Sequence, residues 1–301
     1  MMIEHLLKRR EGENWVPVSA HASTKKFYKG NYEGSDALLI YFEQGEEERK
    51  RFVFLTKLLE KKEIPVPRIL FGGDEDEPYV ITEFIDGSLL SKHPLERFFL
   101  NKTVQSVIKF PKINDEEIKP INPLTLDFEK LKYEMDFFLL HFCGSFLNDD
   151  RGEEVKWLLY ELCEEIDNFS KVFSHRDYHS ENIIVRGEEI FIVDYQDSLY
   201  APRCYDLASL YVDGYCDYEK SFREDLIVVA SENFNASTKE FKMTAIQRAL
   251  KALGTFGYQI TYRKRIKYLS SVHRTLAYLE SLCEDEEKNL KNFIHYLSEK
   301  V

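Results

Sequence analysis

Near Gly87 the apolar residues of this 301-residue chain change their spacing, and that change limits the fold more than any other feature. Before it, short apolar runs alternate with polar turns. Lys26–Lys29 and Ala37–Phe42 flank Gly30–Gly34, which predicts strand, loop, strand. Glu46 to Lys62 predicts a helix with Phe52, Leu55, Leu58 and Leu59 on one face, its acidic end first as the dipole favours. Pro65 and Pro67 end it. Arg68–Phe71 and Tyr79–Phe84 predict two more strands joined by an acidic turn, and residues 1–12 read as a short polar helix. After Gly87 the period is helical, over Leu124–Leu147, Val155–Ser170, Tyr205–Val212, Ala245–Tyr258 and Tyr268–Cys283. Two short β runs, Asn182–Val185 and Ile190–Val193, interrupt it, with Arg186–Glu189 as a tight turn. Strands first and helices afterwards make an α+β chain, not an alternating βαβ sheet. The expected division is a small β-rich lobe over residues 1–88 and a larger, mainly helical lobe over residues 89–301.

Composition removes several classes. A net charge of −12 argues against nonspecific nucleic-acid binding, though not against a phosphorylated ligand, which local cations or a metal can hold. The five cysteines form no CxxC pair and are odd in number, so neither a zinc site nor a disulfide framework is indicated. Buried thiols in a reducing compartment are expected. No run of 18 apolar residues and no signal-like N-terminus occur, so the chain is expected in the cytoplasm without a membrane partner.

The chemistry concentrates between His175 and Asp197. His175-Arg176-Asp177 is followed five residues after Asp177 by Asn182, then by the predicted hairpin, then by Asp194-Tyr195-Gln196-Asp197. Phosphoryl transfer needs an aligned acceptor hydroxyl and positive charge over the phosphate oxygens, with little covalent help. Asp177 suits the carboxylate that orients the hydroxyl and takes its proton. Asn182 and Asp194 suit Mg2+, which prefers carboxylate and amide oxygens. The pattern resembles the kinase catalytic loop HRDxxxxN followed by a metal-binding Asp on the next strand.

Departures from protein kinases narrow the resemblance. His179 gives HRDYH, Asp194 is followed by Tyr-Gln-Asp, and the Tyr205-Asp206-Leu207-Ala208 run arrives with no long activation segment. These features resemble the aminoglycoside phosphotransferase and choline kinase superfamily, which phosphorylates small molecules on a two-lobed, protein-kinase-like fold. Within it, DYQDSLYAPRCYDLASLYVDGY, Leu131–Phe138, Ile246–Phe256 and Ala20–Tyr28 are similar to the bacterial N-acetylmuramate/N-acetylglucosamine kinases, which act on the anomeric hydroxyl. The resemblance implies ATP and Mg2+ as cofactors, with Asp177 as catalytic base and Asn182 and Asp194 as metal ligands. It implies sugar contacts from His179 and Glu134, and from Asp197 support for the acceptor hydroxyl or the metal. It places Ser23 and Thr24 over the phosphates and gives Glu83, Phe84 and Ile85 to the nucleobase. The entry loop departs from the pattern, with His21 for Asp and no glycines, and Ala37–Phe42 carries no phosphate-binding lysine. Lys25, Lys26, Lys29 and Arg51 all stay open for that task.

Other readings stand beside these. On the helical pattern Arg248 and Lys251 share one face, read as an ordinary surface that could also meet an acidic substrate. Arg176 reads as structural, and Asp206 as a helix cap or a brace for the loop. An aminoglycoside or choline-type kinase would suit the acidic surface, and a nucleotide-binding pseudokinase is the third reading. Intact Asp177, Asn182 and Asp194 argue against the last.

Overall fold

A computed structural model describes residues 15–18, 25–43, 45–72, 78–283 and 288–301. The expected helix at residues 1–12 and the expected phosphate-loop residues Ser23 and Thr24 lie outside the described residues. Chain contacts form two compact units. The first runs to Ser88 and takes in Ile184–Gln196; the second comprises Leu89–Ile183 and Asp197–Val301.

The first unit holds an antiparallel sheet in the order β1-β2-β3-β5-β4: Val16–Val18, Lys26–Tyr32, Ser35–Tyr41, Tyr79–Glu83 and Ile69–Phe71. The β2–β3 hairpin is tighter than its sequence predicts. Glu33 and Gly34 both take positive φ, 51° and 85°, as a two-residue turn matched to strand twist requires. Alternation along β3 and β5 puts Ala37, Leu39, Tyr79 and Ile81 into one buried cluster. Trp15 packs over this sheet because residue 30 is glycine: a Cβ there would stand 2.5 Å from the indole. Helix α1 (Glu46–Lys61) buries Phe52, Leu55 and Leu59, with Phe52 against Phe42 at 5.6 Å between rings.

The hairpin of β8 (Ile183–Arg186) and β9 (Glu189–Ile192) turns on Gly187, at φ 60°. Its residues from Ile184 onward group with the first unit, about a hundred residues upstream. Ile192 donates to the Pro65 carbonyl at 2.7 Å, and Gly87 lies so near the Val185 carbonyl that a Cβ would be 2.3 Å away.

The second unit is mainly helical: α2 (Arg97–Val107), α3 (Asp115–Ile118), α4 (Phe128–Phe138), α5 (Lys156–Asp167), α6 (Tyr205–Tyr211), α7 (Lys220–Phe234), α8 (Thr238–Thr261), α9 (Leu269–Leu282) and α10 (Lys288–Lys300). Sequence periodicity at Leu124–Leu147 predicts one helix. The structure breaks it into α4 and a π-helical segment, Leu139–Phe146. At its centre α8, capped by the Ser237 hydroxyl, buries most of its residues. Gly254 and Gly257 let it approach α4 and the π segment closely: added Cβ atoms would lie 2.8 Å from Phe138 Cα and 2.6 Å from the His141 carbonyl oxygen. A two-stranded ribbon of β7 (Lys171–Ser174) and β10 (Leu199–Pro202) feeds the loop that begins at His175. All five cysteines are buried and unbridged, as expected.

Candidate active site

The loop from His175 to Asn182 is pinned at both ends by buried carboxylates. Asp206, in the first turn of α6, accepts the His175 N–H at 2.7 Å on one oxygen and the Arg176 N–H at 2.9 Å on the other. This holds Arg176 at φ 80°, a left-handed conformation costing about 1–2 kcal/mol outside glycine. Asp213 accepts from Ser180 N–H at 2.7 Å and Tyr215 N–H at 2.9 Å, with the Tyr218 hydroxyl at 3.3 Å. Burial raises both carboxyls above the ordinary range, and the N–H donors partly offset it. Tyr178 is wholly buried, donates to the Thr103 carbonyl and packs edge-on against His175. Asp177 and His179 line a neighbouring pocket.

That pocket, about 480 Å³ of empty space with open solvent at its mouth included, is lined by Asp177, His179, Tyr215, Arg248, Lys251 and Phe256 among others. Arg248 and Lys251 were expected on an ordinary surface face, and the structure corrects this. Arg248 is buried and Lys251 largely so, and both meet the same oxygen of Asp177, Oδ1, at 2.9 and 3.0 Å. They are buried because α8 is packed on nearly every side, which its sequence pattern between Ala245 and Tyr258 does not reveal. Arg248 also donates to the Ser209 hydroxyl at 2.9 Å. Burial alone would raise the Asp177 carboxyl, but Lys251 and then Arg248 outweigh it and hold it well below the usual carboxylate range.

Glu134, on α4, is buried and receives the Gln247 amide at 2.8 Å, with Lys251 and Arg176 each at 3.5 Å. Three cations thus face two carboxylates. The Arg176 side chain, read from the sequence as structural, faces the Glu134 carboxylate. His179 packs against Tyr215, rings 5.0 Å apart, and burial lowers its pKa to about 3, so its imidazole is neutral at neutral pH. Asp197 is exposed and does not line the pocket. The Asn182 amide N–H donates to the Asp177 carbonyl at 2.9 Å, which leaves its Oδ1 as a ligand atom.

In the first unit, Asp194 follows β9 at φ 64° and is exposed. Gln196 donates to its Oδ1 at 2.6 Å. Helix α1 anchors this turn at three points: the Tyr195 hydroxyl lies 2.8 Å from that of Thr56, the Tyr195 ring stacks on Phe52, and Arg51 Nε donates to the Gln196 carbonyl at 2.8 Å. Among the basic residues left open, Lys25 is buried 3.4 Å from Glu48, Lys26 pairs with Glu43, and Lys29 lies over the Phe84 ring. At the predicted nucleobase segment, the Glu83 N–H is taken by the Arg68 carbonyl and the Phe84 N–H by the Asp36 carbonyl. The Glu83 carboxylate meets Arg68 and Arg186. Among the described residues, and outside the strand ladders, the N–H of Ile85 and the carbonyls of Glu83 to Ile85 have no backbone hydrogen-bond partner.

Asn182 and Asp194 offer one amide and one carboxylate oxygen, each held by its own local hydrogen bonds. Taken singly, each oxygen is of a kind Mg2+ accepts, and that ion completes its shell with phosphate and water and needs no protein cage. Among the described residues no group of three His, Cys, Asp or Glu forms such a cage, and no helix is long and apolar enough to cross a membrane.

Residues 14–237 match the phosphotransferase enzyme family. The N-acetylmuramate/N-acetylglucosamine kinase of Pseudomonas aeruginosa is 23% identical over 283 residues, covering 88% of this chain and 82% of its own. The kinase of that name from Neisseria meningitidis is 24% identical over 290 residues, 87% and 83%. Among solved structures, the choline kinase LicA of Streptococcus pneumoniae superposes with a TM-score of 0.65 at 14% identity over 93% of this chain and 100% of that one. Spectinomycin phosphotransferase, in complex with ADP and spectinomycin, gives 0.65 at 13% over 99% and 98%. The antiparallel lobe and the helical lobe are those of this kinase-like fold.

Proposed function

The chain belongs to the phosphotransferase enzyme family, and we propose that it uses ATP and Mg2+ to phosphorylate the anomeric hydroxyl of an N-acetylated amino sugar. It is a phosphotransferase with a hydroxyl acceptor; the finer assignment rests on the pocket beside Asp177. There the lining sets Arg248 and Lys251 against Asp177 and Asp213, beside a neutral His179. A lining without surplus negative charge gives a cationic aminoglycoside or choline no acidic pocket and admits a neutral or carboxylate-bearing sugar. The names of the curated relatives support the same class.

In this reading Asp177 receives the acceptor hydroxyl, orients it for in-line attack and takes its proton as the phosphoryl group transfers. Its low basicity suits a loose transition state, in which the proton leaves late. Asn182 and Asp194 would be the residues that hold Mg2+, which would supply positive charge to the phosphate oxygens. Among the four basic residues the buried Lys25, paired with Glu48, is the one we assign to a nucleotide phosphate. Glu83 to Ile85 meet the base. His179 contacts the sugar as a neutral imidazole, and Asp197 supports the acceptor hydroxyl or the metal. Such a reaction belongs to recycling of cell-wall sugars in the cytoplasm.

A coupled ADP-release assay tests this with N-acetylmuramate and N-acetylglucosamine, against choline and an aminoglycoside. Turnover of an amino sugar to an acid-labile sugar phosphate is expected. Folded protein inactive on both sugars would remove the proposal, and turnover of choline or the aminoglycoside alone would replace it.

A further inference from the structure

Helix α8 carries Gln247, Arg248 and Lys251 at neighbouring positions of one face, and all three reach carboxylates. The two cations converge on one oxygen. Arg248 Nη2 is 2.9 Å and Lys251 Nζ 3.0 Å from Asp177 Oδ1, while no hydrogen bond among the described residues goes to Oδ2. A carboxylate gripped through one oxygen cannot rotate freely and presents the other. The Asp177 side chain keeps 33% of its surface, and it lines the pocket.

The grip is itself supported. Arg248 is fixed from behind by the Ser209 hydroxyl. Lys251 is shared between Asp177 and Glu134, and Glu134 is held by the Gln247 amide and faced by Arg176. Glu134 does not line the pocket.

We propose that Arg248 and Lys251 are positioning residues of the transfer reaction, clamping Asp177 by Oδ1 so that Oδ2 meets the acceptor hydroxyl, with Glu134 holding Lys251 in the clamp. This rests on Asp177 being the group that receives the acceptor, as read above. It gives Glu134 a place one step removed from the substrate. It also distinguishes these cations from a binding site for an acidic acceptor, because a clamp acts on every acceptor alike.

The test compares Lys251→Met, Lys251→Arg and Glu134→Gln with the wild type on N-acetylmuramate, which bears a carboxylate, and N-acetylglucosamine, which does not. Misaiming a reacting group by about 1 Å costs on the order of 100-fold. Lys251→Met is therefore expected to lose about 30- to 100-fold in kcat on both sugars, with KM for sugar and ATP changed less than about threefold. Lys251→Arg keeps a donor in place and is expected to recover much of the loss. Glu134→Gln loosens Lys251 and is expected to lower kcat alone, which keeps the proposal open to refutation should Lys251→Met not fold. Unchanged kcat in Lys251→Met or Glu134→Gln would overturn it. So would a loss confined to a raised KM for the carboxylate-bearing sugar, which would make the cations substrate ligands. If the wild type uses neither sugar, the proposed substrate fails, and the same kcat-against-KM split is read on the hydroxyl acceptor it does phosphorylate.

Discussion

Replacing Asp206 by Asn preserves side-chain shape and changes the number of acceptors from two to one. In the wild type the two carboxylate oxygens take one N–H each, from His175 and Arg176, at 2.7 and 2.9 Å. The amide can serve one of them and must turn an NH2 toward the other. Loss of the charge itself costs little here, because burial already raises the Asp206 carboxyl above its ordinary range. The orphaned N–H decides the balance, and a buried donor without a partner costs about 1–3 kcal/mol. Asp206→Ala leaves both donors unmet and is expected to cost about twice as much. Both N–H groups belong to the loop, and the left-handed backbone of Arg176 sets the direction of Asp177. Turnover should therefore fall together with stability, by on the order of 100-fold if Asp177 moves by about 1 Å. Urea denaturation of the three proteins, alongside kcat with ATP and the acceptor, measures both quantities. An Asn variant that unfolds at the wild-type urea concentration and turns over at the wild-type rate would refute the reasoning. So would an Ala variant more stable than the Asn one.

Further outcomes follow from other parts of the site. Asp177→Asn is expected to lower kcat by about 10²- to 10⁴-fold while Mg–nucleotide affinity, read by calorimetry, stays within a few-fold; undiminished turnover would remove Asp177 as the base. Gly257→Ala puts a Cβ 2.6 Å from the His141 carbonyl oxygen and should destabilise by about 1–3 kcal/mol in denaturant titration, whereas equal or greater stability would show that α8 can shift at no cost. His179, its pKa lowered to about 3 by burial, should show no NMR titration between about pH 5 and 8. The unfolded chain takes up this proton first, near the ordinary histidine value, so the His179 contribution to stability is complete above about pH 6.5 and declines as pH falls toward 3. A folded-state midpoint above pH 5 would contradict that sign.

The sequence already carried the chemistry-bearing spacing of Asp177, Asn182 and Asp194 and the passage from β to α near Gly87, because these depend on local order along the chain. The β7–β10 ribbon was not legible: Lys171–Ser174 and Leu199–Pro202 are four residues each, too short to show a period, and pair across the intervening residues 175–198. The π segment was hidden inside a continuous apolar pattern, since a change of hydrogen-bond register does not alter which residues are hydrophobic. Arg248 and Lys251 were misread for a related reason. A charged residue on a helix is ordinarily solvated, and only the packing of α8 against α4 and α6 shows these two to be internal. Their one sequence signal was their spacing beside Gln247 on a single face. Gln196 appeared as part of a resemblance, and its hold on Asp194 emerged only from the turn geometry.

The membership of the β8–β9 hairpin in the first unit sets an order of events during synthesis. Phe52 and Thr56 await Tyr195, and Pro65 awaits Ile192, yet some ninety-five residues of the helical unit leave the ribosome in between. The N-terminal sheet therefore emerges early, but the unit it belongs to stays incomplete until translation passes residue 196. A nascent chain arrested before that point should expose the apolar face of α1 to chaperones, and the two units reach their native cores by interleaving instead of strictly from the N-terminus onward.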